Sequence, residues 1–149
     1  MNKHDPILNY IKPEEKSGYL LWQVTIQWQL KLNRKLSEVD LTLTQFSLLA
    51  GLYWLSRQQE MVTQQQLATY ANTDKMMTSK ILITLQSKEL ITRETHPDDN
   101  RAWQLIITKK GMVKLRAAND LVQAEDSLFF KPVKKNKAAF DDLLKKLIK

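Results

Sequence analysis

The sequence predicts a mostly α-helical fold carrying one small β-hairpin, and three observations lead to that reading. Only three glycines (Gly18, Gly51, Gly111) and four prolines (Pro6, Pro13, Pro97, Pro132) interrupt the 149 residues. Stretches this free of breakers favour helices over a loop-rich β architecture. Apolar residues recur at helical spacing along most of the chain and change to alternation between Ile91 and Ile107, the pattern of strands. Residues of the kind that cap helix N-termini stand in front of several helical stretches.

In chain order, residues 1–16 form a polar lead with one short apolar patch, Ile7, Leu8 and Ile11. A long helix is expected from Ser17 to about Val39. It is apolar around much of its circumference (Tyr19, Leu20, Leu21, Trp22, Val24, Ile26, Trp28, Leu30, Leu32, Leu36), so it must be buried on more than one side. In so small a protein a second subunit is the simplest cover. After a break at residues 40–44, with Thr44 as the expected N-cap, a second helix runs to Arg57; Phe46, Leu48, Leu49, Leu52, Tyr53 and Leu55 form its apolar stripe. Thr63-Gln64-Gln65-Gln66 has the form of a capping box. It opens a third helix through Leu67, Ala68 and Ala71 that stops at Asn72-Thr73. Thr73 or Asp74 then caps a fourth helix ending near Lys88. Two strands follow, Ile91 to Thr95 and Trp103 to Ile107, joined by the turn formers His96-Pro97-Asp98-Asp99-Asn100-Arg101. Thr108 caps a long helix to about Leu128. Lys131-Pro132 and the basic stretch to Lys137 read as a linker, and Phe140, Leu143, Leu144, Leu147 and Ile148 give a short amphipathic last helix.

The hydrophobic fraction of 43% supports a real core. A net charge of +7 suits a polyanionic partner, although residues 112–149 alone hold nine basic against five acidic groups. With no cysteine, disulfides, thiolate zinc sites and thiol redox sensing are excluded together. No apolar run approaches the roughly 20 residues that span a bilayer, and the first residues lack the apolar stretch of a signal peptide. A cytoplasmic location without membrane association is therefore expected. His4 and His96, the only histidines, have no nucleophile or ligand set beside them. The carboxylate pairs Glu14-Glu15, Asp98-Asp99 and Asp141-Asp142 fall in polar or terminal segments, and no glycine-rich loop could cradle a phosphate. No catalytic residue, metal or cofactor is expected, and the chain does not read as an enzyme.

Three short helices and then a hairpin, within about sixty residues, is the order of a winged helix-turn-helix. The corresponding division is 1–39 as an N-terminal dimerisation segment, 40–111 as a winged helix-turn-helix DNA-binding domain and 112–149 as C-terminal dimerisation helices. The short turn between the third and fourth helices makes them cross steeply and frees the fourth to enter a major groove. At about 100° per residue, Thr78, Ile81, Leu82 and Leu85 fall on its core side. Met76, Ser79, Lys80, Ile83 and Ser87 lie opposite, with Lys75, Met77 and Thr84 on the flanks. A groove-facing surface needs hydrogen-bonding groups, cations and small apolar contacts to thymine methyls, which Lys75, Ser79, Lys80, Thr84, Met76 and Met77 supply. The plain alternative is a solvated helix face, against which an outward Met76, Met77 and Ile83 argue. At the hairpin tip Arg101 closely follows Asp98 and Asp99, so a charge-assisted pair can present its guanidinium to a narrow minor groove. A simple surface ion pair is the alternative. The expected DNA contacts are Gln64, Gln65, Lys75, Met76, Met77, Thr78, Ser79, Lys80, Thr84, Arg93, Asn100 and Arg101, with Thr78 included despite its core-side angle.

Gln65-Gln66-Leu67-Ala68, followed by Thr73-Asp74-Lys75-Met76-Met77-Thr78-Ser79-Lys80-Ile81-Leu82 and Leu85-Gln86-Ser87-Lys88-Glu89-Leu90-Ile91, resembles the helix-turn-helix of the MarR (multiple antibiotic resistance regulator) family. The wing, from Arg93 through Asp99-Asn100-Arg101-Ala102 to Ile107-Thr108-Lys109-Lys110-Gly111, is similar to that family's Asp-any-Arg wing and the Leu-Thr-any-any-Gly signature after it. The resemblance implies a homodimer reading a pseudo-palindrome in double-stranded DNA, often a repressor and often released by a small aromatic or anionic effector. It also implies a ligand cleft between the dimerisation and DNA-binding parts, placing Trp22, Trp28, Tyr53 and Trp54 at its walls; core and dimer-interface packing is the alternative for these four. Two departures stand out. Met76 and Met77 occupy positions where small polar residues are common, and Glu89 replaces the usual glycine, so the turn after the fourth helix must be left-handed or take another route. A winged-helix module that binds only proteins is the remaining alternative; the cations Lys75, Lys80 and Arg101 favour DNA.

Overall fold

A computed structural model describes residues 12–95, 97, 98 and 102–148. Its elements follow the expected order: α1 Ser17–Leu36, α2 Leu43–Ser56, α3 Gln64–Ala71, α4 Lys75–Ser87, β1 Ile91–Thr95, β2 Trp103–Ile107, α5 Lys109–Phe129 and α6 Lys137–Leu147. The strands pair antiparallel, with Ile91 opposite Ile107 and Thr95 opposite Trp103. The apolar lead Ile7, Leu8 and Ile11 lies outside the described residues, as do His4, His96 and Asp99.

Local chemistry explains most boundaries. The N-cap of α2 is Thr42, not Thr44: its hydroxyl accepts from the Gln45 N–H at 3.2 Å while the Gln45 side chain accepts from the Thr42 N–H at 3.2 Å. The spacing of three positions is that of Thr63–Gln66, which closes the same box at the start of α3. Of the two possible caps for α4, Asp74 takes the role, its Oδ1 accepting from the Met77 N–H at 2.8 Å. Thr108 caps α5. The stretch expected to be a linker is instead a 3-10 turn, Lys131–Asn136, leading directly into α6, with Pro132 in its first turn where a missing N–H costs nothing.

The core gathers leucines from every layer: Leu32 and Leu36 of α1, Leu48, Leu49 and Leu52 of α2, Leu67 of α3, Leu82 and Leu85 of α4, with Ile91 and Leu105 of the hairpin. Each such side chain contributes about 1.5–3 kcal/mol by leaving water. Helix α2 sits at the centre, packed against α1, α3, α4, α5 and β2. At the base of the hairpin, a Cβ on Gly111 would stand 2.0 Å from the Leu90 carbonyl oxygen, so only glycine lets α5 start this close to the strand. The Trp28 indole N–H donates to Asp126 Oδ1 at 2.8 Å, joining α1 to α5.

One requirement read from the sequence is left unmet by the single chain. Tyr19, Leu20, Leu21, Trp22, Val24 and Leu30 of α1 stay exposed, as do Leu128 at the end of α5 and Leu143, Leu147 and Ile148 at the C-terminal end. Among the described residues, no helix is long and apolar enough to cross a membrane.

Candidate nucleic-acid interface

Three residues, Asn72, Thr73 and Asp74, separate α3 from α4. Asn72 adopts the left-handed conformation at φ 51°, which a short polar side chain tolerates. The Thr73 N–H then reaches the Ala68 carbonyl at 3.0 Å. The turn is locked from inside by Thr78. This residue is fully buried, its hydroxyl donating to the Asp74 carbonyl at 2.7 Å and lying 2.7 Å from the Thr73 hydroxyl. Thr78 therefore leaves the set of expected DNA contacts: its angular position wins, and its one polar atom is used in holding the two helices together.

The rest of α4 divides by face. Thr78, Leu82 and Leu85 are buried, whereas Lys75, Met76, Met77, Lys80 and Ile83 are exposed and Ser79 and Thr84 are partly so. Thr84 donates its hydroxyl to the Lys80 carbonyl at 3.2 Å, which leaves its oxygen lone pairs outward. Lys88, at the end of this helix, is held elsewhere: its ammonium donates to the Asp40 carbonyl at 2.6 Å and pairs with the Asp40 carboxylate at 3.3 Å. The turn beyond it uses Glu89 in a left-handed conformation at φ 61°. Its carbonyl accepts the Thr108 hydroxyl at 2.7 Å and its carboxylate pairs with Lys110 at 3.0 Å.

Two expected contacts of the wing and α3 meet each other. Arg93 Nη2 donates to Gln64 Oε1 at 3.0 Å, and its guanidinium lies 4.8 Å from the Trp103 ring centroid. Burial lowers the Arg93 pKa from the ordinary arginine value. The pair pins β1 to the start of α3, as do the hydrogen bond from the Leu105 N–H to the Val62 carbonyl at 2.9 Å and a bridge between Thr63 and Gln104. Gln65 is exposed beside them. Asn100 and Arg101 lie outside the described residues.

The four aromatic residues expected at a ligand cleft have different surroundings in the single chain. Trp28 is committed to Asp126, and Trp22 and Trp54 point to solvent. Tyr53 lines two adjacent cavities of about 310 and 290 Å³ that share it and Met112. Sequence reasoning missed the cations there: Arg57 borders the first cavity, 5.9 Å from the Tyr53 ring, and Arg116 the second. Arg57 follows Tyr53 by one helical turn and could have been found by spacing; Arg116 arrives from α5 and could not.

A helix pair joined by a three-residue turn, an outward second helix, an antiparallel hairpin packed on the first and long flanking helices define a winged helix-turn-helix protein. Residues 41–103 match the family model described as MarR family. Over 118 residues the chain is 40% identical to YdcH of Bacillus subtilis (strain 168), described as an uncharacterized HTH-type transcriptional regulator, covering 79% of this chain and 80% of that one. The chain belongs to the MarR family of transcriptional regulators. The crystal structure of a MarR mutant from E. coli complexed with operator DNA is similar at a TM-score of 0.82 and 26% identity, covering 98% of this chain and 100% of that chain. The repressor CouR bound to a 23-mer DNA duplex is similar at 0.80 and 26% identity, covering 91% of this chain and 94% of that one. CouR from Rhodococcus jostii RHA1 bound to p-coumaroyl-CoA shares the fold, at a TM-score of 0.78 and 19% identity over 93% of this chain and 95% of that chain.

Proposed function

We propose that this protein is a cytoplasmic, homodimeric regulator that binds a pseudo-palindromic operator in double-stranded DNA and has no enzymatic activity. The observation that carries the reading is the division of α4: Thr78, Leu82 and Leu85 are spent on the core, while Lys75, Met76, Lys80 and Ile83 face outward. A solvated helix has no use for that exposed apolar surface between cations; a major groove does. The regions 1–39 and 112–149 form the dimerisation part and 40–111 the DNA-binding part. Two copies of α4 enter successive major grooves roughly 34–36 Å apart, and the wings, through Asn100 and Arg101, reach the flanking minor grooves. Gln65 approaches the phosphates, and Gln64 and Arg93 act by holding the wing to α3. The relatives solved with DNA support the docking mode, and those bare cations disfavour a module that binds only proteins.

The cavities beside Tyr53 suit a small aromatic anion, with Arg57 and Arg116 as counter-charges. Its binding shifts the population toward a dimer whose helix spacing does not match DNA, and the regulator then acts as a ligand-released repressor.

Fluorescence anisotropy with the DNA upstream of the protein's own gene, against scrambled DNA at two salt concentrations, tests the central reading. Site-preferring binding that weakens with salt is expected, with Lys80→Ala and Arg101→Ala each weakening it about tenfold. Unchanged affinity in both variants removes the docking mode, and no binding at low salt turns the assignment to the protein-interaction alternative.

A further inference from the structure

We propose that the Met76 thioether is a modification site, whose oxidation to the sulfoxide weakens DNA binding and whose reduction restores it. The proposal rests on the DNA-binding reading above. Met76 is 84% exposed, the most exposed large apolar side chain among the described residues. The bare apolar residues of α1, α5 and α6 lie on surfaces that a second subunit can cover. Met76, with Met77 at 39% and Ile83 at 55%, stands instead on α4. It is the second residue of that helix, directly after Lys75 and two after the capping Asp74. In this class of protein the first residues of the second helix reach the base edges, and a methionine there offers an apolar contact of the kind that fits a thymine methyl.

The same position makes the sulfur reactive. No cysteine occurs in the sequence to compete for an oxidant. Met61 and Met112 are both partly buried, and Met112 lies in the wall of the Tyr53 cavities. The co-reactant is a two-electron oxygen donor such as a peroxide. A sulfur lone pair attacks the outer peroxide oxygen, an S–O bond forms as the O–O bond breaks, and the departing hydroxide takes the remaining proton to leave as water. Sulfur loses two electrons and the peroxide gains them. The product carries a strongly polar S–O group in place of the apolar thioether, so the contact with a thymine methyl is lost and the S–O dipole must be desolvated on docking. Methionine sulfoxide reductases reverse the step.

The test uses the full-length protein and its upstream DNA, comparing each protein with itself before and after hydrogen peroxide. Treated wild type is expected to bind about tenfold or more weakly, the scale of one lost base contact per half-site. Treatment with the two sulfoxide reductases should restore it. Peptide mapping should find oxygen on Met76 earlier than on Met112, and more slowly when DNA is bound. Met76→Leu, which keeps the apolar volume and lacks the sulfur, should lose much less affinity on treatment than wild type, and Met76→Leu combined with Met77→Leu should lose none. An equal loss in Met76→Leu and wild type overturns the proposal, as does wild type that keeps its affinity with Met76 oxidised. If the leucine variant does not bind at all, the reductase rescue and the protection of Met76 by DNA decide. Failure of untreated wild type to prefer its DNA overturns the regulator reading itself, an outcome distinct from oxidant-insensitive binding.

Discussion

Thr78 sits where a valine would fill the same space, so its hydroxyl is what the position requires. It satisfies the Asp74 carbonyl and meets the Thr73 hydroxyl within a fully buried site. Thr78→Val should destabilise the protein by about 1–3 kcal/mol, because buried partners lose their hydrogen bond without regaining water. Urea unfolding measures this, and an unchanged midpoint would show that the hydroxyl does not hold the turn. Helical angle alone placed Thr78 on the core side, so its removal from the DNA-contact set was legible in the sequence. The meeting of Arg93 with Gln64 was not. The two stand on different elements, and only the packing of the hairpin against α3 brings them within 3.0 Å.

The helices α3 and α4 end on left-handed residues other than glycine, Asn72 and Glu89, and the segment before α2 does so at Asp40. Beyond α4, the Glu89 N–H bonds to the Gln86 carbonyl at 2.9 Å and the Leu90 N–H to the Leu85 carbonyl at 3.0 Å, the pair of bonds that closes a helix when the first of the two donors is left-handed. Glutamate is the costliest of the three there, since it lacks the short side chain that makes this conformation tolerable. Glu89→Gly should therefore stabilise the protein by about 0.5–1 kcal/mol. The exposed pair with Lys110 that it gives up is worth little. A thermal or urea midpoint that falls would mean that the ion pair outweighs the strain. Most element starts were readable from caps: Thr63, Asp74 and Thr108 all act as expected or as one of the expected alternatives. Thr42 was missed although Thr42 and Gln45 repeat the spacing of Thr63 and Gln66, because Thr44 lies nearer to the apolar stripe.

For the whole molecule, the unmatched apolar surface of α1 and α6 is the dominant fact. The circumference of α1 gave this away in the sequence; the meeting of Arg116 with the Tyr53 cavities stayed hidden because it needs α2 and α5 side by side. Leu143→Glu combined with Leu147→Glu places two charges on the bare face of α6 and should yield a monomer by light scattering. DNA affinity should then fall by more than about tenfold, since one half-site must be bound without the other. A variant that stays dimeric would move the interface away from α6.

The division of α4 into a packed face and a bare face also bears on how such a molecule changes over generations. Replacing Met76, Lys80 or Ile83 removes no buried side chain, so these positions can vary at little expense to folding. Thr78, Leu82 and Leu85 cannot. One helix thus keeps what the protein is and what it reads in separate hands, and the recognised sequence can drift while the scaffold is inherited intact.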